Sequence, residues 1–276
     1  MAITQVEVKA LHVLDTWPPN QKLQEVCLAY SALKHGDIRS IENFAIPLAD
    51  AVKAWTAYDE YGMIGITSPP CSNKLRSAAS YLSDAVVDIL CREGALVNRL
   101  TLPSPITGDQ VRAQDYAKLS QEERKAVQRC RYQGIGNSVA KNVRRLVVIN
   151  DARITGAQEN SLSLELDKSS AHFSLLWLYI IRTDPMLALS FPAVEHAINT
   201  IGIQDPIDLV RFGATRKVAV TARLARRVLG LEEDMFERLI ARWPRNLTLT
   251  LRSLALEEGL GQDDRLMKNL DRLGEL

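Results

Sequence analysis

The chain has 276 residues, of which 46% are hydrophobic, so it is long enough for one large domain or for a core domain with a smaller appendage. Its 34 lysines and arginines balance 33 aspartates and glutamates, and the formal charge of +1 excludes a protein that is drawn as a whole onto nucleic acid or a membrane surface. Any site for an anion must therefore be local.

Two helices are the first predicted elements. Between residues 21 and 58 the apolar side chains recur at helical spacing, interrupted by the turn His35-Gly36-Asp37. The short apolar run at residues 61–67, YGMIGIT, then predicts a strand that is closed by Ser68-Pro69-Pro70. A helix is expected from Lys74 to Arg92, where apolar residues again recur at helical intervals.

The middle of the chain alternates loops, helices and strands. Residues 100–117 contain two prolines and a glycine with few large apolar side chains, which predicts an exposed, mobile loop. A capping box at residues 120–123 predicts that a strongly charged helix follows. The β-branched run at residues 145–150 predicts a buried strand, followed by a turn and by a helix that begins at Ala157. A second apolar strand is expected from His172 to Ile181.

This order of elements predicts an α/β fold. Strands that alternate with helices favour a parallel sheet covered on both faces, with ligands bound outside the carboxyl ends of the strands. After Asp184-Pro185 the composition changes, and residues 194–270 predict five or six short helices without a strand. We therefore expect an α/β domain over residues 1–185 and a helical domain over residues 186–276.

Cysteine spacing and hydropathy indicate the compartment. The four cysteines include no Cys-x-x-Cys pair and no neighbouring histidine pair, which suggests neither a zinc site nor a disulfide framework. Residues 1–17 contain acidic side chains and no sustained apolar run, so we expect neither a signal peptide nor a membrane anchor. The most apolar segment, residues 173–181, has about half the length that a membrane span needs. These features favour a cytoplasmic protein with reduced thiols and no membrane partner.

The most informative segment runs from Arg145 to Asn160, RLVVINDARITGAQEN. A ribose 5-phosphate needs acceptors for its hydroxyls beside a group of backbone amides for its phosphate. In a strand, turn and helix of this kind, Asp151 would meet the hydroxyls, and the amides of residues 155–158 would converge on the phosphate, with Gly156 allowing close approach. The alternative is an ordinary strand, turn and helix in which Asp151 is only an N-cap.

This segment resembles the ribose-phosphate signature of the type I phosphoribosyltransferases, in which apolar residues precede two acidic residues and a Thr-Gly turn. The resemblance implies a parallel-sheet phosphoribosyltransferase-like core with an α-helical C-terminal domain. It also implies a site for phosphoribosyl pyrophosphate (PRPP), whose ribose and 5-phosphate would contact Asn150, Asp151, Ile154, Thr155, Gly156, Ala157 and Gln158. One position departs from the signature: Asn150 replaces the first acidic residue, so a neutral amide would make one of the hydroxyl contacts.

The resemblance assigns a second segment to the pyrophosphate of PRPP. A turn of small residues followed by two cations suits a pyrophosphate group with its magnesium ion. The residues concerned are Thr67, Ser68, Lys74 and Arg76. The alternative is that the two cations belong to a solvated first turn of a helix.

Residues 115–124, DYAKLSQEER, resemble the flexible loop that closes over PRPP, particularly in bacterial phosphoribosyltransferases from tellurite-resistance-type clusters and biosynthetic operons. The candidates for a cation that approaches the leaving group are Arg112, Lys118 and Arg124. For each of them a solvated charged helix is the alternative. Residues 29–37 and 193–199 also resemble that group, and His196 is a candidate for the acceptor pocket or a structural histidine.

The resemblance implies a Mg²⁺-dependent glycosyltransferase of nucleotide metabolism. It would transfer the phosphoribosyl group from PRPP to a nitrogen-bearing small molecule and release pyrophosphate, mainly by positioning and electrostatics. Asp151, Lys118 and Arg112 would be its catalytic residues, and Asp151 would meet the metal indirectly, through PRPP and water. The acceptor pocket would be a hood built from the N-terminal helices and the helical C-terminal domain.

A second hypothesis follows from Asn150: a non-catalytic protein that binds PRPP or another ribose phosphate as a regulatory or defence-system subunit. A homodimer and an operon-encoded partner are both compatible with the sequence. The basic stretch from Arg216 to Arg227 predicts a helix that contacts nucleic acid or faces solvent. The near-neutral total charge and the acidic residues 231–234 favour solvent.

Overall fold

The computed structural model describes residues 2–56, 63–70, 74–103, 132, 135–139 and 142–275. The strands are β1 (Ile3–Leu14), β2 (Met63–Thr67), β3 (Val97–Arg99), β4 (Val143–Arg153) and β5 (Phe173–Thr183). The α-helices are α1 (Gln21–Lys34), α2 (Ile38–Thr56), α3 (Ala78–Arg92), α4 (Ala157–Leu166), α5 (Pro185–Ser190), α6 (Val194–Thr200), α7 (Pro206–Thr215), α8 (Ala222–Leu229), α9 (Glu233–Ile240), α10 (Arg245–Glu257) and α11 (Asp264–Arg272). Most of the predicted mobile loop and the charged helix after it lie outside the described residues, as do Arg112, Lys118 and Arg124.

The chain divides into two compact units, each made of separate segments. The first unit comprises Met1–Glu25, Glu42–Pro70 and Ala79–Ala197, and it contains the whole sheet. The second unit comprises Val26–Ile41, Cys71–Ala78 and Ile198–Leu276, and it contains most of the C-terminal helices. The boundary that the sequence predicts between residues 185 and 186 stays a prediction.

The sheet confirms the predicted parallel α/β fold. Its five strands follow the order β1-β5-β4-β2-β3, and every neighbouring pair is parallel. Strand β5, FSLLWLYIIRT, is a nearly continuous apolar run with nine buried residues of its eleven, as expected for a strand covered on both faces. The middle of β4 is likewise a continuous run of buried apolar residues. This pattern explains why the two strands occupy central positions in the sheet.

Strand β1 was not predicted from the sequence. It lies at an edge of the sheet, pairs with β5 over most of its length, and leaves Val6 51% exposed. The signal that identifies it is the alternation of apolar and polar residues in TQVEVKALHV, which is typical of a strand with one face towards solvent. Strand β3 was missed because it is only three residues long.

The predicted start of α3 is wrong. The helix begins at Ala78 and not at Lys74, because Arg76 forms an isolated parallel bridge with Thr221 and its carbonyl accepts the amide of Ala222 at 2.9 Å. Lys74 and Arg76 therefore do not belong to a first helical turn, which was the alternative interpretation of these cations.

One apolar cluster of the first unit contains residues of α4 and of the sheet. Leu162 and Leu166 of α4 are fully buried in the same apolar cluster as residues of β4 and β5. Trp177 and Tyr179 of β5 belong to it, with parallel rings 5.9 Å apart. The indole nitrogen of Trp177 donates to the hydroxyl of Ser163 at 3.1 Å, so its polar atom is satisfied inside the core.

Residues 194–275, all of which the structure describes, contain no strand, as predicted. Six α-helices and one 3-10 helix (Leu260–Gln262) lie in this region, and those from α7 onwards bury a cluster that includes Phe236 and Trp243. The basic stretch is helical only from Ala222, because Thr221 caps α8 by accepting the amide of Leu224. No helix among the described residues has the length and apolar character that a membrane crossing requires.

His35 is a buried histidine of the second unit. Its Nδ1 lies 2.8 Å from the carbonyl of Ser31 and therefore carries the proton, while Nε2 accepts a hydrogen bond from Arg227 Nη1 at 3.0 Å. Burial, reinforced by the positive charge of Arg227, lowers the pKa of His35 from 6.5 to about 3. The imidazole is thus neutral in the folded protein at neutral and mildly acidic pH.

We expect this histidine to make the fold less stable in acid. Between pH 6.5 and about 3 the unfolded chain binds a proton at His35 and the folded chain does not, so stability falls as the pH falls. The free energy of unfolding should lose about 2 kcal/mol between pH 7.5 and pH 5 from this group. Urea titrations of the wild type and of His35→Gln at both pH values measure this loss. The difference between their free energies of unfolding should be smaller at pH 5 than at pH 7.5 by that amount. His172→Gln, at an exposed position, is the control. An unchanged difference would contradict the prediction.

Candidate functional site

The predicted phosphate turn lies at the carboxyl end of β4. Apolar residues of β4 lead into it, and the chain then turns at Gly156 and enters α4 at Ala157, as predicted. The turn needs glycine because Gly156 has a φ of 73°, in the left-handed region. Gly156 is the N-cap of α4, so the alternative in which Asp151 caps this helix is wrong: Asp151 belongs to β4.

The strand continues three residues beyond its predicted end. Ala152 and Arg153 still pair with Ile181 and Arg182 of β5, so β4 ends at Arg153 and not at Asn150. The consequence is that Asp151 is held by a central strand of the sheet, and only residues 154–156 form the turn.

The amino terminus of α4 offers backbone donors to an anion. The first amides of a helix have no acceptor within the helix, and they carry part of its positive dipole. No side chain caps α4 through Gly156, and the amide of Ala157 makes only a long contact of 3.4 Å with Thr155 Oγ1. Since a hydroxyl accepts and donates at once, the O–H of Thr155 can still donate to a ligand. This arrangement can hold a phosphate group.

Asn150 and Asp151 are both buried, each only 7% exposed, at the start of this site. Asn150 donates its Nδ2 to Gln158 Oε1 at 2.9 Å and accepts the amide of Asp151 at 2.9 Å. Gln158 in turn donates to the hydroxyl of Tyr132 at 2.9 Å. The amide at position 150 therefore ties the strand to the first turn of α4, a bond that a carboxylate could not donate. One oxygen of Asp151 accepts the amide of Ala152 at 2.8 Å.

A partly buried ion pair lies beside the turn, and the sequence did not point to it. Arg153 donates to Glu159 through Nε at 2.8 Å and through Nη2 at 3.2 Å. Tyr179 of β5 donates its hydroxyl to the same carboxylate at 2.9 Å. Burial, followed by the negative charge of Glu159, raises the pKa of Tyr179, and the hydrogen bond with Glu159 raises the pKa of Arg153. Tyr179 thus remains a donor and Arg153 a cation.

Thr67 and Ser68 lie at the same edge of the sheet as Asn150. Strand β2 is the parallel neighbour of β4, and its last residue, Thr67, is in register with Val148, two residues before Asn150. The side chain of Ser68 lies 3.1 Å from that of Ser80. Thr67 thus ends the strand next to β4 and Ser68 follows it, and their role towards pyrophosphate stays a prediction.

The two predicted cations of the pyrophosphate loop belong to the second unit. The backbone amide of Lys74 donates to Glu258 at 2.8 Å, and its ammonium lies 3.5 Å from the carboxylate of Glu257. Arg76 is held by its bridge to Thr221. Their role towards pyrophosphate stays a prediction, as does that of the half-buried His196 in α6.

Comparison with known protein families gives a match over nearly the whole chain. A family model described as "PRTase ComF-like" matches residues 7–273 of the chain. No curated protein and no solved structure matches the chain. The matched range contains the whole turn at the end of β4 and segments of both units.

Proposed function

Because the chain belongs to the ComF-like phosphoribosyltransferase family, we propose that it binds PRPP and transfers its phosphoribosyl group to a small, nitrogen-bearing acceptor, with release of pyrophosphate. The observation that carries this proposal is the combination of a buried carboxylate, Asp151, with the amino terminus of α4 a few residues further along the chain, where no side chain acts as a cap. The carboxylate accepts from sugar hydroxyls, and the amides bind the phosphate on the same sugar.

Each group then has a defined task. The first turn of α4 holds the 5-phosphate, and Asp151 orients the ribose ring while the bond to pyrophosphate breaks. Thr67 and Ser68 receive the pyrophosphate, and Arg112 or Lys118 approaches its developing negative charge. Positioning and electrostatic stabilisation are sufficient for such a transfer, so no protein nucleophile is required.

Magnesium is the cation that the family implies. It commonly takes one or two protein carboxylates and completes its shell with substrate phosphates and water. In the part of the chain that the structure describes, no three His, Cys, Asp or Glu side chains are grouped to hold a metal ion. The single carboxylate of Asp151 fits an ion that arrives with PRPP, and Asp151 would hold it through PRPP and water. The bound ion would offset the charge of the pyrophosphate.

Titration calorimetry with PRPP and Mg²⁺ tests the proposal. We expect saturable heat from the wild type, and a loss of that heat when ribose, which lacks both phosphate groups, replaces PRPP. The absence of binding at millimolar PRPP would contradict the proposed function. A screen of amines and nucleobases for pyrophosphate release then identifies the acceptor.

A second candidate function is PRPP sensing without transfer. It is favoured by Asn150, whose side chain is already bonded to Gln158 and to the amide of Asp151. In that case PRPP would bind, and no nitrogen-bearing acceptor would release pyrophosphate. Pyrophosphate release above the rate of spontaneous PRPP breakdown would exclude the sensor.

A further inference from the structure

The guanidinium of Arg153 lies directly beside the phosphate turn. A Cβ atom added to Gly156 would come within 3.0 Å of Arg153 Nη2, so the cation packs against the residue that caps α4. The side chain of Arg153 is 26% exposed, whereas that of its partner Glu159 is 9% exposed. The ion pair therefore turns its positive member towards solvent and its negative member towards the core.

Arg153 has donors left over. A guanidinium has five N–H groups, and its two hydrogen bonds to Glu159 use one N–H on Nε and one on Nη2. Among the described residues Nη1 makes no hydrogen bond. One edge of the guanidinium is thus bonded to Glu159, and the donors on its other edge are available to a ligand.

Stability does not account for this arrangement. Desolvating two charges offsets much of their attraction, and apolar residues of similar volume often serve a core equally well or better. A pair of this kind also leaves its outer donors without protein acceptors. An ion pair that holds a cation in one orientation beside an anion-binding turn does have a use, because it reduces the freedom that the side chain loses when a ligand binds.

We propose that Arg153 binds the ligand's phosphate together with the amides of α4, and that Glu159 and Tyr179 are positioning residues that hold the guanidinium in place. This inference rests on the proposed function, and it adds a charge-dependent contact to a phosphate site otherwise made of backbone. It predicts a preference for the doubly charged form of a phosphate monoester, since the attraction to a fixed cation increases with ligand charge.

The test is titration calorimetry with ribose 5-phosphate, which isolates the phosphate end of PRPP. Arg153→Gln should weaken binding about 10- to 100-fold, the loss expected for hydrogen bonds to a charged group. The matched control is Arg144→Gln, an exposed arginine at the opposite end of β4, which should change affinity less than about 2-fold. Glu159→Gln keeps the cation and loosens it, so we expect a smaller loss than with Arg153→Gln.

A second readout separates ligand contact from a structural role. The wild type should bind ribose 5-phosphate more tightly as the pH rises through about 6, where the phosphate becomes a dianion. This rise should be smaller in Arg153→Gln, and Arg153→Lys should restore part of it. If Arg153→Gln is too unstable, the double variant Arg153→Gln, Glu159→Gln removes both charges together and serves instead. If these variants bind ribose 5-phosphate with the affinity and pH dependence of the wild type, the inference about Arg153 is overturned and the proposed function is not. Failure of the wild type to bind ribose 5-phosphate or PRPP would overturn the proposed function as well.

Discussion

Asp151→Asn is expected to lower the affinity for PRPP about 100-fold or more, because two hydrogen bonds to a charged group are each worth about 1.5–3 kcal/mol. A carboxylate can accept from both ribose hydroxyls, whereas an asparagine presents one acceptor and a donor that faces the hydroxyls. The side chain is buried, so water replaces the lost contacts poorly. Titration calorimetry with PRPP and Mg²⁺ measures the effect.

The fold should tolerate this change. Asparagine has the shape of aspartate, and its oxygen can still accept the amide of Ala152, as Asp151 does at 2.8 Å. The control is Asp50→Asn in α2 of the same unit, where the carboxylate is 63% exposed and pairs with Lys53. It should leave PRPP affinity within about 2-fold of the wild type. Equal affinity of Asp151→Asn and the wild type would mean that the turn is not the ligand site.

Gly36→Ala should destabilise the second unit by about 2–5 kcal/mol, through left-handed strain and the loss of backbone hydrogen bonds. Gly36 follows α1 with a φ of 86°, and an added Cβ would lie 2.1 Å from the carbonyl oxygen of Ala219. The obstacle is backbone, so it cannot rotate away. Relief requires movement of the segment whose Ala219 amide donates to Gly36 at 2.9 Å and whose Lys217 carbonyl accepts from Ile38 at 3.0 Å.

Gly94→Ala is the matched control for this substitution. Gly94 also has a positive φ, 84°, but an added Cβ would meet no atom within 4 Å. It should lose only the left-handed strain of about 1–2 kcal/mol. Calorimetric melting measures the loss of stability in each variant. A similar loss in both variants would show that the contact with Ala219 is relieved at little cost in free energy.

Local patterns made the centre of the fold predictable. The apolar runs of β4 and β5 and the Thr155-Gly156 turn are each contained within a few consecutive residues, so their periodicity and turn chemistry are visible in the sequence. The start of α3 was not visible in this way. Its preceding residues are held by Thr221, a residue far along the chain, and no local rule reports such a bridge.

Part of the candidate site could be predicted from the sequence in the same way, and part could not. Asp151 and the amides of α4 were predicted because one continuous segment contains them. The contact between Glu159 and Tyr179 arises from the register in which Asn150 of β4 lies beside Tyr179 of β5, and such pairing is not encoded in either strand alone. No local pattern therefore indicates that Tyr179 contacts the ion pair of Arg153 and Glu159.

The path of the chain between the two units limits how this protein can have evolved. The chain passes from one unit to the other five times, after residues 25, 41, 70, 78 and 197. A single gene fusion or crossover therefore cannot transfer either unit whole. Recombination would separate segments that fold together, so the two units should be inherited as one block, and substitutions in one should accumulate under selection that also acts on the other. Their phylogenetic histories should accordingly be the same.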